Sequence, residues 1–339
     1  MESSPSTDVD SAADRRLRAD AVKSGMRQRG DEMTRKDATA EDESDTQGSR
    51  GEDGPSLAVG LRAAMSTFTP AEKKIARAIL ASYPFSGLEP ISSLAETAGV
   101  SAPSVVRFAR TLGFNGYREF QERLRQEIRE REESNLSQAE TRPRGQEPQF
   151  DAARSAYHAG IDQTFDSVIG DDLDRTVRLL AQMKRSVVFL GATYSGFIAD
   201  IFHAQLAPAR PGTMRLAANP LVAAGQLLDL KRGDVVVAFD VRRYEPGVTD
   251  VVRTANELGL TTIVFTDPWM SPAAALADHV LTADVRAAGP SDTMVPMLAL
   301  VEAVSELVVV ELGQAGFDRL GRLDPLRLRL GGSANRAWP

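Results

Sequence analysis

One segment of the sequence is unusual for its charged side chains. The stretch GVSAPSVVRFARTLGF, residues 99–114, contains two arginines, and no acidic residue occurs between Thr97 and Arg118. The whole chain has a formal net charge of −7, so this interval is a local exception. Cationic side chains on a surface without carboxylates suit contact with a polyanion, because a carboxylate there would repel the phosphates. The segment is therefore a candidate DNA-contacting surface.

The residues around the arginines predict two short helices joined by a tight turn. Ser101 is a typical N-cap, Pro103 fits a first helical turn, and Gly113 fits a helix end. Gly99 separates this helix from a preceding element over residues 92–98, which gives the pattern of a helix-turn-helix unit. Ala95 is expected to be small where the helices cross. The residues predicted to face inward are Leu94, Val100, Val105, Phe108 and Leu112.

The remaining positions form the predicted DNA-contacting face. An exposed helix can also carry two arginines as an ordinary solvated surface. The spaced framework of apolar residues and glycines favours a DNA-contacting helix instead, since a set of residues at specific spacings is harder to obtain by chance than a pair of charges. The predicted DNA-contacting residues are Ser101, Ala102, Pro103, Ser104, Arg107, Arg110 and, beyond the turn, Arg118.

A second segment, GATYSG at residues 191–196, could bind a small anion. It lies between a Val-rich run and a helical pattern, where exposed helix N–H groups and hydroxyls can hold an anion. It has neither a Walker lysine nor GxGxxG, so nucleotide hydrolysis and ordinary dinucleotide binding lack support. Two glycines in six residues often form only a turn.

A third segment, DVRRYEPG at residues 240–247, has conflicting charges. Arg242 and Arg243 can donate to a phosphate or carboxylate, whereas Asp240 would repel a phosphate dianion. The arginines could equally pair with Asp240, Glu245 or a neighbouring subunit. The predicted ligand-binding residues are Ala192, Thr193, Tyr194, Ser195, Asp240, Arg242 and Arg243.

Alternating patterns in the second half of the chain predict an α/β fold. Helical segments separate five short strand candidates, so we expect a parallel sheet flanked by helices, with ligands at the carboxyl ends of its strands. The strand candidates are residues 186–191, 214–217, 234–239, 262–266 and 279–282. The predicted fold class is an all-α helix-turn-helix domain plus an α/β domain with a parallel five-stranded sheet.

Composition sets the predicted domain boundaries. Residues 1–55 are polar and are predicted to form a disordered tail. Residues 56–132 are predicted to form the helix-turn-helix domain, and residues 133–149 a linker. Residues 150–325 are predicted to form the ligand-sensing and dimerisation domain, and residues 326–339 a C-terminal tail. The chain lacks cysteine and has three dispersed histidines, so neither a metal nor a cofactor is expected. Its apolar runs are too short to span a bilayer and its start is polar, so we expect a cytoplasmic protein.

Catalysis is not expected from the sequence. An aldose–ketose isomerisation needs a base, for which Glu302, His203 or His279 could be proposed. None has a convincing sequence context, so no catalytic residue is predicted. A structural protein without a small ligand is a further alternative, and it would be favoured if the loop at residues 191–196 were filled by its own side chains.

Residues 57–131, with TPAEKKIARAIL, ISSLAETAGVSAPSVVRF and LGFNGYREFQERL, resemble the DNA-binding domain of RpiR-type bacterial transcriptional regulators. Those regulators add a C-terminal sugar isomerase (SIS) domain, and the resemblance extends over residues 57–320. It implies a regulator that binds double-stranded operator DNA and senses a sugar phosphate or sugar acid. A homodimer or homotetramer is expected, with the helix at residues 297–312 as the candidate interface.

In SIS domains the loop after the first strand and a Ser-rich loop after a later strand hold the phosphate of a sugar phosphate. In this chain the expected serines are absent and the later loop begins with Asp240. A carboxylate, or a phosphate placed differently, is therefore the favoured anion. The alternatives are a sugar-phosphate isomerase or other SIS enzyme, and a SIS domain retained only for dimerisation.

Overall fold

The computed structural model describes residues 56–132, 149–289 and 291–331. The expected tail at residues 1–55 and most of the expected linker, residues 133–148, lie outside this described part, as do residues 332–339. The described residues within 56–110 and 114–331 belong to one compact unit. We refer to residues 56–132 as the helical half and to residues 149–331 as the α/β half.

The helical half contains five α-helices in its described residues. They are α1 (Leu57–Ala63), α2 (Pro70–Ala81), α3 (Ile91–Ala98), α4 (Ala102–Thr111) and α5 (Tyr117–Glu132), with short 3-10 helices at Ala64–Ser66 and Phe85–Leu88. Helix α2 begins with a capping box formed by Thr69 and Glu72. The Thr69 N–H donates to the Glu72 carboxylate at 2.9 Å, and the Thr69 hydroxyl accepts from the Glu72 N–H, which satisfies N–H groups that the first turn leaves unpaired.

The turn between α3 and α4 and the packing of both helices match the prediction. Gly99 has φ of 61°, a left-handed conformation that glycine adopts without steric cost. Leu94, Val105 and Phe108 are buried, and the Phe68 ring meets the Phe108 ring edge-on at 5.3 Å. Ala95 is also buried, whereas the remaining two predicted inward residues, at positions 100 and 112, are partly exposed.

Helix α5 begins at Tyr117, after a capped turn. The Asn115 N–H and side-chain amide both donate to the Glu119 carboxylate, at 2.7 and 2.8 Å, so the chain makes a capped turn before the helix begins. Further along α5 the Glu127 carboxylate is buried. It accepts from the Leu57 N–H at 2.8 Å and from the Tyr83 hydroxyl, and burial raises its pKa. Glu127 therefore ties α5 to the start of α1 and to the segment after α2.

The α/β half alternates helices and strands. The helices are α6 (Gln149–Ser167), α7 (Gly170–Ala181), α8 (Ser195–Ala209), α9 (Pro220–Leu228), α10 (Pro246–Glu257) and α11 (Val295–Gly331). The strands are β1 (Val187–Gly191), β2 (Thr213–Arg215), β3 (Val235–Asp240), β4 (Thr261–Thr266) and β5 (His279–Thr282). Each predicted strand is found with ends that differ by at most two residues.

The strands form one parallel sheet in the order β2-β1-β3-β4-β5. The predicted fold class is thereby confirmed. In this order the chain leaves β1 toward β2 on one side and returns to β3 on the other, so the loops after β1 and β3 diverge. Such a switch point opens a crevice at the carboxyl ends of the strands. In the register, Gly191 pairs with Phe239 and Asp240 pairs with Thr266.

Both faces of the sheet are covered. On one face Phe189, Phe239 and Phe265 pack with residues of α8 and α11, and on the other face Val236 and Val264 pack with residues of α10 and with Ala58 of α1. Strands buried on both faces explain the continuous Val-rich runs of the sequence. Helix α11 extends beyond the predicted residues 297–312, with non-helical backbone at Gly313, and it reaches Gly331.

Gly191 is required where β1 meets α8. A Cβ atom at this position would lie 2.7 Å from both the carbonyl carbon and the carbonyl oxygen of Ser195, distances that real Cβ atoms do not adopt. The close approach that glycine allows here is thus to the first turn of α8, within the protein itself. Backbone atoms cannot turn away as a flexible side chain can, so a larger residue must displace the helix start.

Gly191→Ala is expected to lower the free energy of unfolding by about 1 to 3 kcal/mol, because the added methyl overpacks this junction. Gly225→Ala is the matched control: it lies in helix α9, and nothing lies within 4 Å of its added Cβ. Alanine there is expected to be neutral or to stabilise by up to about 1 kcal/mol. Urea unfolding of both variants measures the difference, and equal stabilities for Gly191→Ala and the wild type would contradict the account.

Candidate functional site

The predicted DNA-contacting residues lie on and beside α4. Ser101, Pro103 and Arg107 are exposed, while Ala102 and Ser104 are partly exposed. The Ser101 and Ser104 hydroxyls are 2.9 Å apart, and Arg107 donates through Nη2 to the Ser104 hydroxyl at 2.9 Å. This chain of polar contacts along the start of the helix holds the Arg107 guanidinium on the exposed face.

The flanking arginines extend the same cationic stretch of sequence. Arg110 is exposed and donates from Nε to the Asn115 carbonyl at 3.4 Å, and Arg118 is exposed on α5. The first acidic residue after α4 is Glu119, and its carboxylate is engaged by the Asn115 N–H and amide. The first carboxylate that follows the acid-free interval in the sequence, that of Glu119, is thus engaged in a cap before helix α5.

At the switch point of the sheet, a hydrogen bond joins the two predicted ligand loops. The Thr193 hydroxyl, in the loop after β1, donates to the Glu245 carboxylate, in the loop after β3, at 3.2 Å. Tyr194 is strongly exposed beside it, and Ala192 is partly exposed. The Glu245 carboxylate thus lies against the loop after β1, where the sequence pattern predicts a bound anion.

Ser195 has a structural role in the described conformation. Its side chain is buried, and its hydroxyl donates to the Phe239 carbonyl at 2.8 Å and accepts from the Ala192 N–H at 3.0 Å. The Gly196 N–H donates to the Ala192 carbonyl, so the turn satisfies polar groups of the α8 start internally. The exposed residues of this loop that carry a hydroxyl are Thr193 and Tyr194.

Two buried carboxyl groups lie at the ends of neighbouring strands. Asp240 is the last residue of β3, and Asp267 directly follows β4. Burial raises the pKa of Asp240 to about 7 and that of Asp267 to about 6, and the charges of Asp267 and Glu245 add to the increase at Asp240. Asp267 Oδ1 accepts from the Tyr244 hydroxyl at 2.8 Å and from the Trp269 N–H at 3.0 Å. This edge of the sheet therefore favours neutral carboxyls and hydrogen-bond donors.

Arg242 is engaged in a buried cluster. Its Nε donates to Asp292 at 3.2 Å, its Nη1 donates to the Glu130 carbonyl at 2.7 Å, and its guanidinium lies 4.8 Å from the centre of the Trp269 ring. The side chain is 5% exposed. The expected pairing of this arginine with a carboxylate is found, although with Asp292, which the sequence did not indicate. These contacts occupy the guanidinium, so Arg242 is not available as a ligand donor in this arrangement.

Helix α5 also contacts the loops after β3 and β4. The Arg131 guanidinium lies 4.5 Å from the centre of the Tyr244 ring, and the Trp269 indole N–H donates to the Glu130 carboxylate at 3.2 Å. Arg243, next to Arg242, is exposed and has φ of 73°. The loop after β3, which carries predicted ligand residues, is thus in direct contact with the last turn of helix α5.

Sequence reasoning missed Tyr244, Asp267 and Trp269. One available signal was the repeated pattern in which an aspartate ends a buried strand, VVVAFD at β3 and TIVFTD at β4. Parallel neighbouring strands bring such residues to the same edge of the sheet. The contacts from α5 have no comparable signal, because nothing local in the sequence specifies which loop a distant helix end meets.

The residues considered for catalysis lie in unrelated environments. His279 starts β5, at the amino ends of the strands, and its Nδ1 is 3.2 Å from the Asp172 carboxylate. His203 lies in α8 with its ring 5.8 Å from that of Phe189, and Glu302 is exposed on α11. His279 is therefore at the edge of the sheet opposite to the candidate ligand loops.

Within the described ranges, no three His, Cys, Asp or Glu side chains come together in a way that could hold a metal ion. None of the helices there combines the length and the hydropathy needed to cross a membrane.

Family models match both halves of the chain. The model for the helix-turn-helix domain of the rpiR family matches residues 56–131, and the model for the SIS domain matches residues 179–307. A transcriptional regulator of the helix-turn-helix type from Thermotoga maritima is 30% identical over 252 residues, which cover 72% of this chain and 85% of that protein. Another from Caldanaerobacter subterraneus is 25% identical over 253 residues, covering 74% and 86%. Both relatives are uncharacterized.

Solved structures with similar folds include the sugar isomerase domain of an RpiR transcription factor from Sphaerobacter thermophilus. It is 23% identical, with a TM-score of 0.49, and the match covers 53% of this chain and 99% of that one. The Vibrio vulnificus NanR protein, solved in complex with ManNAc-6P, is 19% identical, with a TM-score of 0.48 and coverage of 82% and 100%. The resemblance noted in the sequence is confirmed by the family models and the relatives. The chain belongs to the RpiR family of transcriptional regulators, in which a helix-turn-helix domain is joined to a SIS domain.

Proposed function

We propose that this regulator reads operator DNA with α4, and that its SIS domain binds a carbohydrate-derived metabolite and assembles the protein as a dimer or tetramer. The observation that carries the proposal is the exposed start of α4, where Ser101, Ser104 and Arg107 are joined by hydrogen bonds on a face without carboxylates. Regulation, rather than catalysis, is the function that this surface supports.

The expected mode of DNA recognition follows from the shape of a helix-turn-helix unit. The second helix enters the major groove with its first residues toward base edges, which places Ser101, Ala102, Pro103 and Ser104 nearest the bases. Arg107 can donate two hydrogen bonds to a guanine. The exposed Arg110 and Arg118 suit contacts to backbone phosphates, which fix the register of the protein on the duplex.

The switch point between β1 and β3 is the proposed ligand site. Ligands in open parallel sheets bind at this place, and here the exposed Thr193 and Tyr194 lie beside the loop that carries Arg243. Asp240 and Glu245 add carboxyl groups at the end of β3 and in the loop that follows it. The Glu245 carboxylate would repel a phosphate dianion, whereas a sugar can donate hydroxyl groups to both side chains. We therefore propose a sugar acid, with its single carboxylate at Arg243, in preference to a sugar phosphate.

Assembly into a dimer or tetramer is supported by the surface of α11. This helix exposes bulky apolar side chains along its length, which is costly in water and typical of subunit interfaces. Its exposed apolar residues include Leu307, Val310, Phe317, Leu326, Leu328 and Leu330. A two-fold symmetric dimer would present two copies of α4, and its operator would then contain two inverted half-sites.

Arg107→Ala is expected to weaken specific operator binding by about 1 to 3 kcal/mol, because one base-reading guanidinium is lost. Arg178→Ala is the control, since this exposed arginine lies on α7 of the SIS domain and is not part of the predicted DNA surface. Gel-shift titrations at one fixed salt concentration measure both. Equal operator affinities for Arg107→Ala and the control, with both proteins folded, would contradict the proposed reading helix.

The ligand proposal is tested by calorimetry on the full chain with gluconate and glucose 6-phosphate. Gluconate is expected to bind more tightly, and Thr193→Val or Arg243→Gln is expected to weaken it about tenfold by removing one hydrogen bond to the ligand. Glu245→Gln should reduce the difference in affinity between gluconate and glucose 6-phosphate, because it removes a charge that repels the phosphate. Tighter binding of the phosphate by the wild type, or gluconate binding that none of these substitutions alters, would overturn the assignment.

A further inference from the structure

A separate cleft, with a volume of about 630 Å³, is lined by both halves of the chain. Helices α1 and α2 contribute Arg62, Lys73 and Arg77. The α/β half contributes Asp172, Arg175 and Met270. None of the predicted ligand residues of the loops after β1 and β3 lines it. A volume of this size lies within the range of about 300 to 1,000 Å³ that small-molecule sites occupy.

The charges of this cleft are unbalanced. Four cationic side chains and two carboxylates line it, and Arg62 lies 3.5 Å from Asp172, which also meets His279. In the described ranges, the side chains of Lys73, Arg77 and Arg175 form no ion pair and no hydrogen bond. Three cations therefore face one cleft without an ion pair, and its four cationic and two acidic side chains leave a net positive charge.

Stability alone does not account for this arrangement. Lys73 and Arg77 are one turn apart on α2, and like charges at this spacing destabilise a helix. Arg175 approaches the same cleft from α7, so its charge adds to the local positive potential. A bound anion would relieve the repulsion among all three side chains and would be held by charge-assisted hydrogen bonds.

The cleft also has apolar walls. Met65, Leu80 and Met270 line it together with the cationic side chains. This combination suits a ligand with a carbon skeleton and several negative groups, because the apolar portion can lie against the methionines and the leucine while the charged groups reach the arginines.

We infer that this cleft is a second ligand site, which binds a small organic polyanion between the DNA-binding domain and the SIS domain. This goes beyond the proposed function, since the site uses none of the residues proposed for the sugar. Lys73 and Arg77 lie within the residues that match the helix-turn-helix model and Arg175 lies on α7 of the α/β half, so one ligand contacts both halves. Its binding would favour the arrangement of domains described here over any arrangement that separates these cations.

Citrate is a suitable probe, because it is a small organic polyanion, and calorimetry on the full-length protein measures its binding. Arg77→Gln and Arg175→Gln are each expected to raise the Kd for citrate about tenfold, as each removes one charge-assisted contact. Arg178→Gln, on the same helix as Arg175 but outside the cleft, is the matched control and should leave the Kd unchanged.

Thr193→Val separates this site from the proposed sugar site: it should weaken gluconate and leave citrate binding unchanged. The inference is overturned if citrate does not bind at millimolar concentration, or if Arg77→Gln and Arg175→Gln bind it as tightly as the control. It is also overturned if Arg77→Gln weakens operator binding while citrate binding is unchanged, since the cleft cations would then serve as contacts to DNA phosphates. Loss of gluconate binding alone would count only against the sugar proposal.

Discussion

The link between the two domains depends on the contacts of one buried guanidinium, that of Arg242. It joins the loop after β3 to Asp292 and to the carbonyl of Glu130 at the end of α5, and it packs on Trp269. A guanidinium that is 5% exposed needs such partners, because leaving it unpaired would cost several kcal/mol. The loop that follows the central strand is consequently held to the DNA-binding domain, and its conformation and the position of α5 depend on each other.

Helix α5 also carries a buried carboxylate, that of Glu127, which extends this connection. Glu127 of α5 binds the Leu57 N–H and the Tyr83 hydroxyl, so the end of α5 is joined both to the α1–α2 region and to the sheet. A ligand that changes the loop after β3 can thus bias the DNA-binding helices through contacts that are short and direct. It can do so only to the extent that it binds one arrangement better than another. Tyr244 follows Arg243 in this loop and its ring meets Arg131 of α5, so the loop proposed to bind the ligand also contacts that helix.

The sequence predicted the features that depend on local patterns. The turn at Gly99, the inward Val105 and Phe108 and the order of helices and strands along the chain all follow from spacing and from residue chemistry. The partners of Arg242 could not be predicted in this way, since Asp292 and Glu130 are far from it in sequence and only the packing of α5 on the sheet brings them together. Ser195 illustrates the same limit: its place in a Gly-rich loop indicated a ligand contact, whereas its hydroxyl binds the Phe239 carbonyl and the Ala192 N–H.

The central claim is that α4 reads a specific DNA sequence from a symmetric assembly. Selection of bound duplexes from a random library by the full-length protein, followed by sequencing, tests it most directly. The account predicts an enriched motif of two inverted half-sites, with centres separated by about one helical turn or a multiple of it. Enrichment of a single half-site without symmetry would contradict the proposed assembly, and a bound pool with no enriched sequence would contradict the claim that α4 reads bases.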